Sequence, residues 1–207
     1  MQLSKDQLLS LDRICRLNLV NSLTGIKPAN LIGTVNTRGV TNLAIFSSVI
    51  HLGSNPPLLG MVTRPLGEVR RHTYENIKET GVFTINSVPN SMTKAAHYTA
   101  AKFEDNESEF EHCGFTPEYL SEFKAPFVRE SPLKMGLQLV DELPIKHNDT
   151  RLLIGEIEYL CCEQEVGDGH LNLEELQLAG VSGLNSYYTL EKIAEYPYPR
   201  KEEWSKD

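Results

Sequence analysis

A chain of 207 residues, 40% of them hydrophobic, is long enough for one large domain with a sizeable core. Its formal charge of −8 disfavours general binding to nucleic acid or to an anionic membrane, and it has no apolar run of the roughly 18 residues that a membrane-spanning helix needs. The four cysteines, Cys15, Cys113, Cys161 and Cys162, lack C-x-x-C spacing and read as free, buried thiols of a reducing cytoplasm.

Charges at Lys5, Asp6, Asp12, Arg13 and Arg16 interrupt the apolar N-terminus and argue against a cleaved signal peptide. Ser4 and Gln7 have the spacing of a capping box. Leu8, Leu11, Ile14, Leu17 and Val20 follow with helical period, so a helical segment is expected over 4–24. ANLIGTVN (29–36), a TRG turn and NLAIFSSVI (42–50) read as a β-hairpin. LLGMVT (58–63) is a third strand, with Pro56 and Pro57 at its start. HTYENIKETG (72–81) is a short helix on which Tyr74 and Ile77 share a face and Gly81 caps the end.

VFTINSV (82–88) is again a strand and 92–103 a helix, while the polar stretch 104–126 is expected to wrap the outside. Strands resume at 133–142 and 151–162, EVGDGHL (165–171) forms a tight hairpin turn, and 191–207 is an extended tail. The order predicts a single domain over 1–207, mainly β with helical decoration. An antiparallel barrel fits this better than a doubly wound sheet, which would need regular alternation of strands and helices.

Several chemistries lack their motif. No G-x-G-x-x-G follows a strand and no P-loop is present. The six histidines show no metal-ligand spacing, and GVSGLNS lacks the spacing of a nucleophile elbow. One anomaly stands out in this acidic chain: TRPLGEVRRHT gathers Arg64, Arg70, Arg71 and His72, opposed by Glu68, just before a helix. A solvated loop fits that pattern. So does a phosphate site, because arginines beside a helix N-terminus attract phosphate and Thr73 could both cap the helix and donate its hydroxyl. Ser47 and Ser48, in the middle of an apolar run, either meet water or offer donors to a ligand.

NLAIFSS, the PPLLGMVTRP strand and RRHTYENIKETGVFTIN together resemble the flavin reductase-like family with the FMN-binding split barrel. The similarity runs on through SEFEHCGFTPEYL, KAPFVRESPLK and LLIGEIEYL to GLNSYY, over roughly 27–190. It implies a homodimer of six-stranded, antiparallel, Greek-key split barrels with FMN near the interface. Asn42, Ala44, Phe46, Ser47 and Ser48 would line the flavin, and Arg64, Thr73 and Asn76 would hold its phosphate or ribityl arm. Where many members read Lys-Asp-Thr, this chain has Arg71, His72 and Thr73. His72 therefore adds positive character beside the phosphate.

The resemblance also implies the chemistry. The expected activity is NAD(P)H-dependent flavin reduction with hydride transfer to flavin N5, and FMN-binding electron carriage without NAD(P)H turnover is the alternative. FAD fits in place of FMN, since a phosphate site does not reveal whether an adenylate follows. His51, His97, Tyr98 and Lys102 are candidates for the side on which the nicotinamide docks. Neither a metal, nor nucleic acid, nor a membrane is expected as a partner.

Overall fold

The computed structural model describes residues 1–67, 70–104, 106–165, 167 and 169–201. Ser4 opens α1 (Lys5–Ser10) with the reciprocal pair of a capping box: Gln7 N–H donates to Ser4 Oγ at 3.3 Å and Ser4 N–H to Gln7 Oε1 at 2.8 Å. Asp12 then caps α2 (Arg13–Ser22) by accepting from the N–H groups of Ile14 and Cys15. Neither helix has a buried residue, and Ile14, Leu17 and Val20 are each about half exposed. Cys15 was expected to be buried; it is exposed because nothing covers α2.

The strands and remaining helices follow in order. They are β1 (Lys27–Pro28), β2 (Asn30–Val35), β3 (Thr41–Phe46), β4 (Val49–Ser54), β5 (Pro57–Thr63), α3 (His72–Thr80) and β6 (Val82–Ser87). A 3-10 turn (Asn90–Met92) leads to α4 (Thr93–Tyr98), α5 (Glu109–His112), β7 (Pro117–Glu118) and β8 (Phe127–Val128). Two long strands, β9 (Leu133–Ile145) and β10 (Thr150–Cys162), precede β11 (Ala179–Ser182) and β12 (Ser186–Thr189). The tail beyond Leu190 runs without strand or helix as far as Arg200, and 202–207 lie outside the described residues.

The main sheet is antiparallel throughout, in the order β3-β2-β6-β9-β10-β5-β4. Its two ends, β3 and β4, are neighbours in the chain, joined by Ser47 and Ser48 alone. The sheet must therefore curl until its ends meet, which makes it a barrel. Ser48 extends the β4–β5 ladder by one rung toward that corner: its Oγ donates to Val62 O at 2.8 Å, and Val62 N–H donates to Ser48 O at 3.3 Å. Six strands were expected and seven are present, because this corner divides one long segment into β3 and β4.

Three clusters form the core, the smallest of them Leu133, Leu176 and Leu178. Ile32, Met61, Ile77, Phe83, Ile85, Leu137 and Leu153 pack together, with Phe46 and Val49 against them. Since Ile77 belongs to α3, that helix is seated against this cluster. On the other side of β2 and β3, Leu31 and Leu43 join Ala96, Phe110, Phe115 and Val128. The stretch 104–126 was expected to wrap the outside, yet Glu109, Phe110, Phe115 and Ala125 are buried. Phe110 and Phe115 are drawn in by the second cluster, whereas Tyr119 stays exposed. The helix expected over 92–103 stops at Tyr98. The expected turn at 165–171 includes Val166 and Asp168, which lie outside the described residues. The strand that follows, β11, pairs with β1 and β12 and not with β10.

Candidate functional site

Four polar side chains meet where β2 and β3 run beneath the first turn of α3. Asn42 Nδ2 donates to Thr73 Oγ1 at 3.1 Å and to Thr34 Oγ1 at 3.4 Å, and Asn76 Nδ2 donates to the same Thr34 oxygen at 3.1 Å. All four are buried. Thr73 accepts from Asn42, so its own hydroxyl proton is available to a further acceptor. It does not cap the helix as the sequence suggested: Arg71 occupies the cap position without a side-chain cap bond, and Thr73 lies inside the first turn. The backbone still begins α3 at His72, as expected.

The basic segment is partly compensated. Arg70 pairs with Glu75, while Arg71 Nε donates to Pro65 O at 3.5 Å and Arg64 is exposed. Glu68 lies outside the described residues. His72 is half-buried, and its charge acts on both Glu75 and Glu109. The Arg70 hydrogen bond, acting against burial, holds the Glu75 carboxyl below its ordinary range.

β3 is an edge strand of the sheet. Leu43 N–H points off that edge and donates to Glu109 Oε2 at 2.8 Å. Antiparallel alternation sends the N–H group of Ile45 the same way, so the rim toward the corner presents a further backbone donor. The side chains divide: Asn42, Ala44 and Phe46 share one face, and Phe46 packs into the first core cluster. Ser48 has its hydroxyl proton on Val62, whereas Ser47 Oγ has no partner among the described residues. Burial pushes the Glu109 carboxyl up, and the Leu43 N–H and His72 only partly oppose this.

Of the residues expected on the nicotinamide side, two converge. His97 Nδ1 lies 3.2 Å from Tyr187 Oη, and the His97 ring sits edge-on to Tyr98 and Tyr187 with centroids at 6.0 and 5.9 Å. Burial raises the Tyr187 hydroxyl above its ordinary range. Ile45 and Tyr187 pack against the same second cluster, so these rings lie behind β3. His51 and Lys102 are exposed, and no hydrogen bond or ring contact among the described residues joins them to His97. Sequence reasoning missed Thr34, Glu109 and Tyr187. A threonine at an inward position of the buried strand β2 was the available signal for the first.

The flavin reductase like domain profile matches residues 26–174, the greater part of the chain. The chain belongs to the flavin reductase like family. Solved structures are similar to it across nearly their whole length. A protein from Shewanella frigidimarina NCIMB 400, assigned as a flavin reductase with split barrel domain, is 47% identical, with a TM-score of 0.92 over 96% of this chain and all of that one. Nitrilotriacetate monooxygenase component B from Bacillus cereus is 23% identical with a TM-score of 0.83, covering 95% of this chain and 98% of its own. Flavoredoxin of Desulfovibrio vulgaris (Miyazaki F) is 22% identical with a TM-score of 0.74, over 96% and 98%. These last two share the fold. The flavin reductase like domain thus has the split-barrel architecture expected of it and is that of a flavin-related oxidoreductase.

Proposed function

We propose that this protein binds FMN along β3, between the first turn of α3 and the Ser47–Ser48 corner, and acts as an NAD(P)H-dependent flavin reductase. The observation that carries the reading is the hydrogen-bonded cluster of Thr34, Asn42, Thr73 and Asn76. It clamps the start of α3, with its basic approach, beside the edge strand β3.

The residues fit the cofactor. Thr73 O–H and the helix N-terminus receive phosphate oxygens, and Arg64, Arg71 and His72 balance the phosphate charge. The Ile45 and Ser47 N–H groups suit the heteroatoms along a flavin edge, where fixed donors stabilise developing negative charge. Ala44 keeps the approach to the strand open, while Phe46 supports it from the core and Ser48 ties the corner to β5. When bound, FMN supplies the hydride chemistry at its N5. His97 and Tyr98 stand behind the same strand as side chains for the nicotinamide donor, with His51 and Lys102 farther out.

The assembly is a homodimer in this reading. Ile50, Leu52 and Leu152 converge over Gly60 on the outer sheet face, and Leu143 stands opposite Leu152. Ile50, Leu52 and Leu143 are 46%, 40% and 47% exposed, an apolar patch next to the corner that suits a second copy.

Stopped-flow mixing of FMN-loaded protein with NADH and NADPH tests the proposal. Bleaching of the oxidised flavin by either supports a reductase. Bleaching by neither leaves an FMN-binding electron carrier, and failure to take up FMN at all removes both readings.

A further inference from the structure

One buried carboxylate has no part in the site as described. Glu109 is 5% exposed, and from α5 it reaches the edge of β3, where its Oε2 accepts from Leu43 N–H at 2.8 Å. Beside it, Ser108 Oγ and Thr41 Oγ1 lie 2.7 Å apart, so α5 is pinned to β3 at two points. Covering a strand edge needs only a neutral acceptor, such as an amide or a hydroxyl. Burying a carboxylate there costs more than burying either of these. A clasp alone does not call for an acid.

The neighbours show where the charge acts. His72, at the first residue of α3, and His112, at the end of α5, are the cations that act on Glu109, and Cys113 is the other titratable group that feels it. β3 itself, TNLAIF, carries no charged side chain. Along the same rim the next outward N–H is that of Ile45, two residues on and roughly 7 Å away at strand spacing. A ligand atom held by Ile45 N–H would therefore lie about 7 Å from the Glu109 carboxylate.

We infer that Glu109 sets the reduction potential of the flavin bound in this chain, a role that rests on the site proposed above and comes from a fixed negative charge beside the rim of β3. Hydride transfer delivers two electrons and one proton, so the bound flavin gains one negative charge while the nicotinamide leaves oxidised. Ionised Glu109 repels that charge and favours the oxidised cofactor. Burial holds the carboxyl above its ordinary range, so in mild acid it is neutral and the repulsion is gone. The coupling is reciprocal: reduction of the flavin makes Glu109 take up a proton from solvent more readily. His72 and His112 titrate in wild type and in a Glu109 variant alike, so the difference between the two proteins isolates Glu109.

Midpoint potentials of FMN-loaded wild type and Glu109→Gln, measured against reference dyes at about pH 8 and about pH 5, test this. Gln keeps an acceptor for Leu43 N–H and removes the charge. At the higher pH the variant should hold reduced FMN, relative to oxidised, roughly ten-fold more tightly than wild type does, a rise of about 30 mV for a two-electron couple. At the lower pH the two potentials should coincide. Equal potentials at the higher pH, or the same offset at both, overturn the inference and leave Glu109 as a clasp on β3. Should Glu109→Gln fail to fold, infrared difference spectra of the wild type carry the test. Reduction near the titration of Glu109 should then bring up the carbonyl band of a newly protonated carboxyl, and its absence overturns the inference. Wild type that takes up no FMN defeats the flavin site itself, whereas FMN uptake with unchanged potentials defeats the role of Glu109 alone.

Discussion

Thr73 has to satisfy two neighbours with one oxygen, and that sets what its loss does. Removing the hydroxyl in Thr73→Val strips an acceptor from buried Asn42 and, in the proposed site, a donor from the FMN phosphate. A hydrogen bond to a charged group is worth roughly 1.5–3 kcal/mol, so FMN affinity should fall about 10- to 100-fold, and Arg64→Ala should fall in the same range. Arg200→Ala in the tail should leave it unchanged. Equal FMN titrations for all three variants would place the phosphate elsewhere.

Glu109 makes a separate prediction. Its carboxyl titrates above the ordinary range because it is buried, so ionisation is harder in the native state than in the unfolded chain. Its contribution to stability is therefore greatest at acid pH and is lost as pH rises through the raised value. Glu109→Gln keeps an acceptor for Leu43 N–H and cannot ionise. In calorimetric melts, the variant should match wild type near pH 4 and gain on it toward neutrality; parallel curves would refute this. Asn42, Thr73 and Asn76 were legible in the sequence because they sit within linked local motifs. Thr34 and Glu109 were not, because their partners Asn76 and Leu43 lie 42 and 66 residues away.

Among the elements, α3 was read closely from its sequence, down to Gly81, which ends it with φ of 75° and an N–H bond to Ile77 O. The strands of the main sheet were legible for the same local reason, alternation between turn residues, whereas the short strands β1, β7, β8, β11 and β12 were not. What the pattern could not give was the seating of β2 against the segment before β8. There Thr84 Oγ1 donates to Pro126 O at 2.7 Å, and a Cβ on Gly33 would come within 2.2 Å of that carbonyl. Gly33→Ala must push two backbones apart on the strand that carries Thr34. Overpacking of this kind costs about 3 kcal/mol, or roughly 6–12 °C in Tm for a chain of this size. A thermal melt within 2 °C of wild type would show that the segments separate freely.

For the whole molecule, the count of short strands announced a barrel, and the family resemblance named it. Neither reported that α1 and α2 bury nothing, or that the outer sheet face carries Ile50, Leu52 and Leu143 in the open. Such faces are legible only after the strands are placed, since alternation alone does not say which side is covered. If that sheet face meets a second copy, Ile50→Glu should convert the dimer to monomer in sedimentation velocity at micromolar concentration. A dimer that persists would move the interface, and α2 is the next surface to test. The corner at Ser47 and Ser48 has a consequence for how the barrel comes apart. A backbone nick between these two residues would cut the direct link between the two ends of the sheet, whereas one at the Arg38–Gly39 tip would leave that link whole. A ligand seated on the Ser47 N–H would work as a rivet across that seam, and amide exchange of β3 and β4 would slow together when it binds.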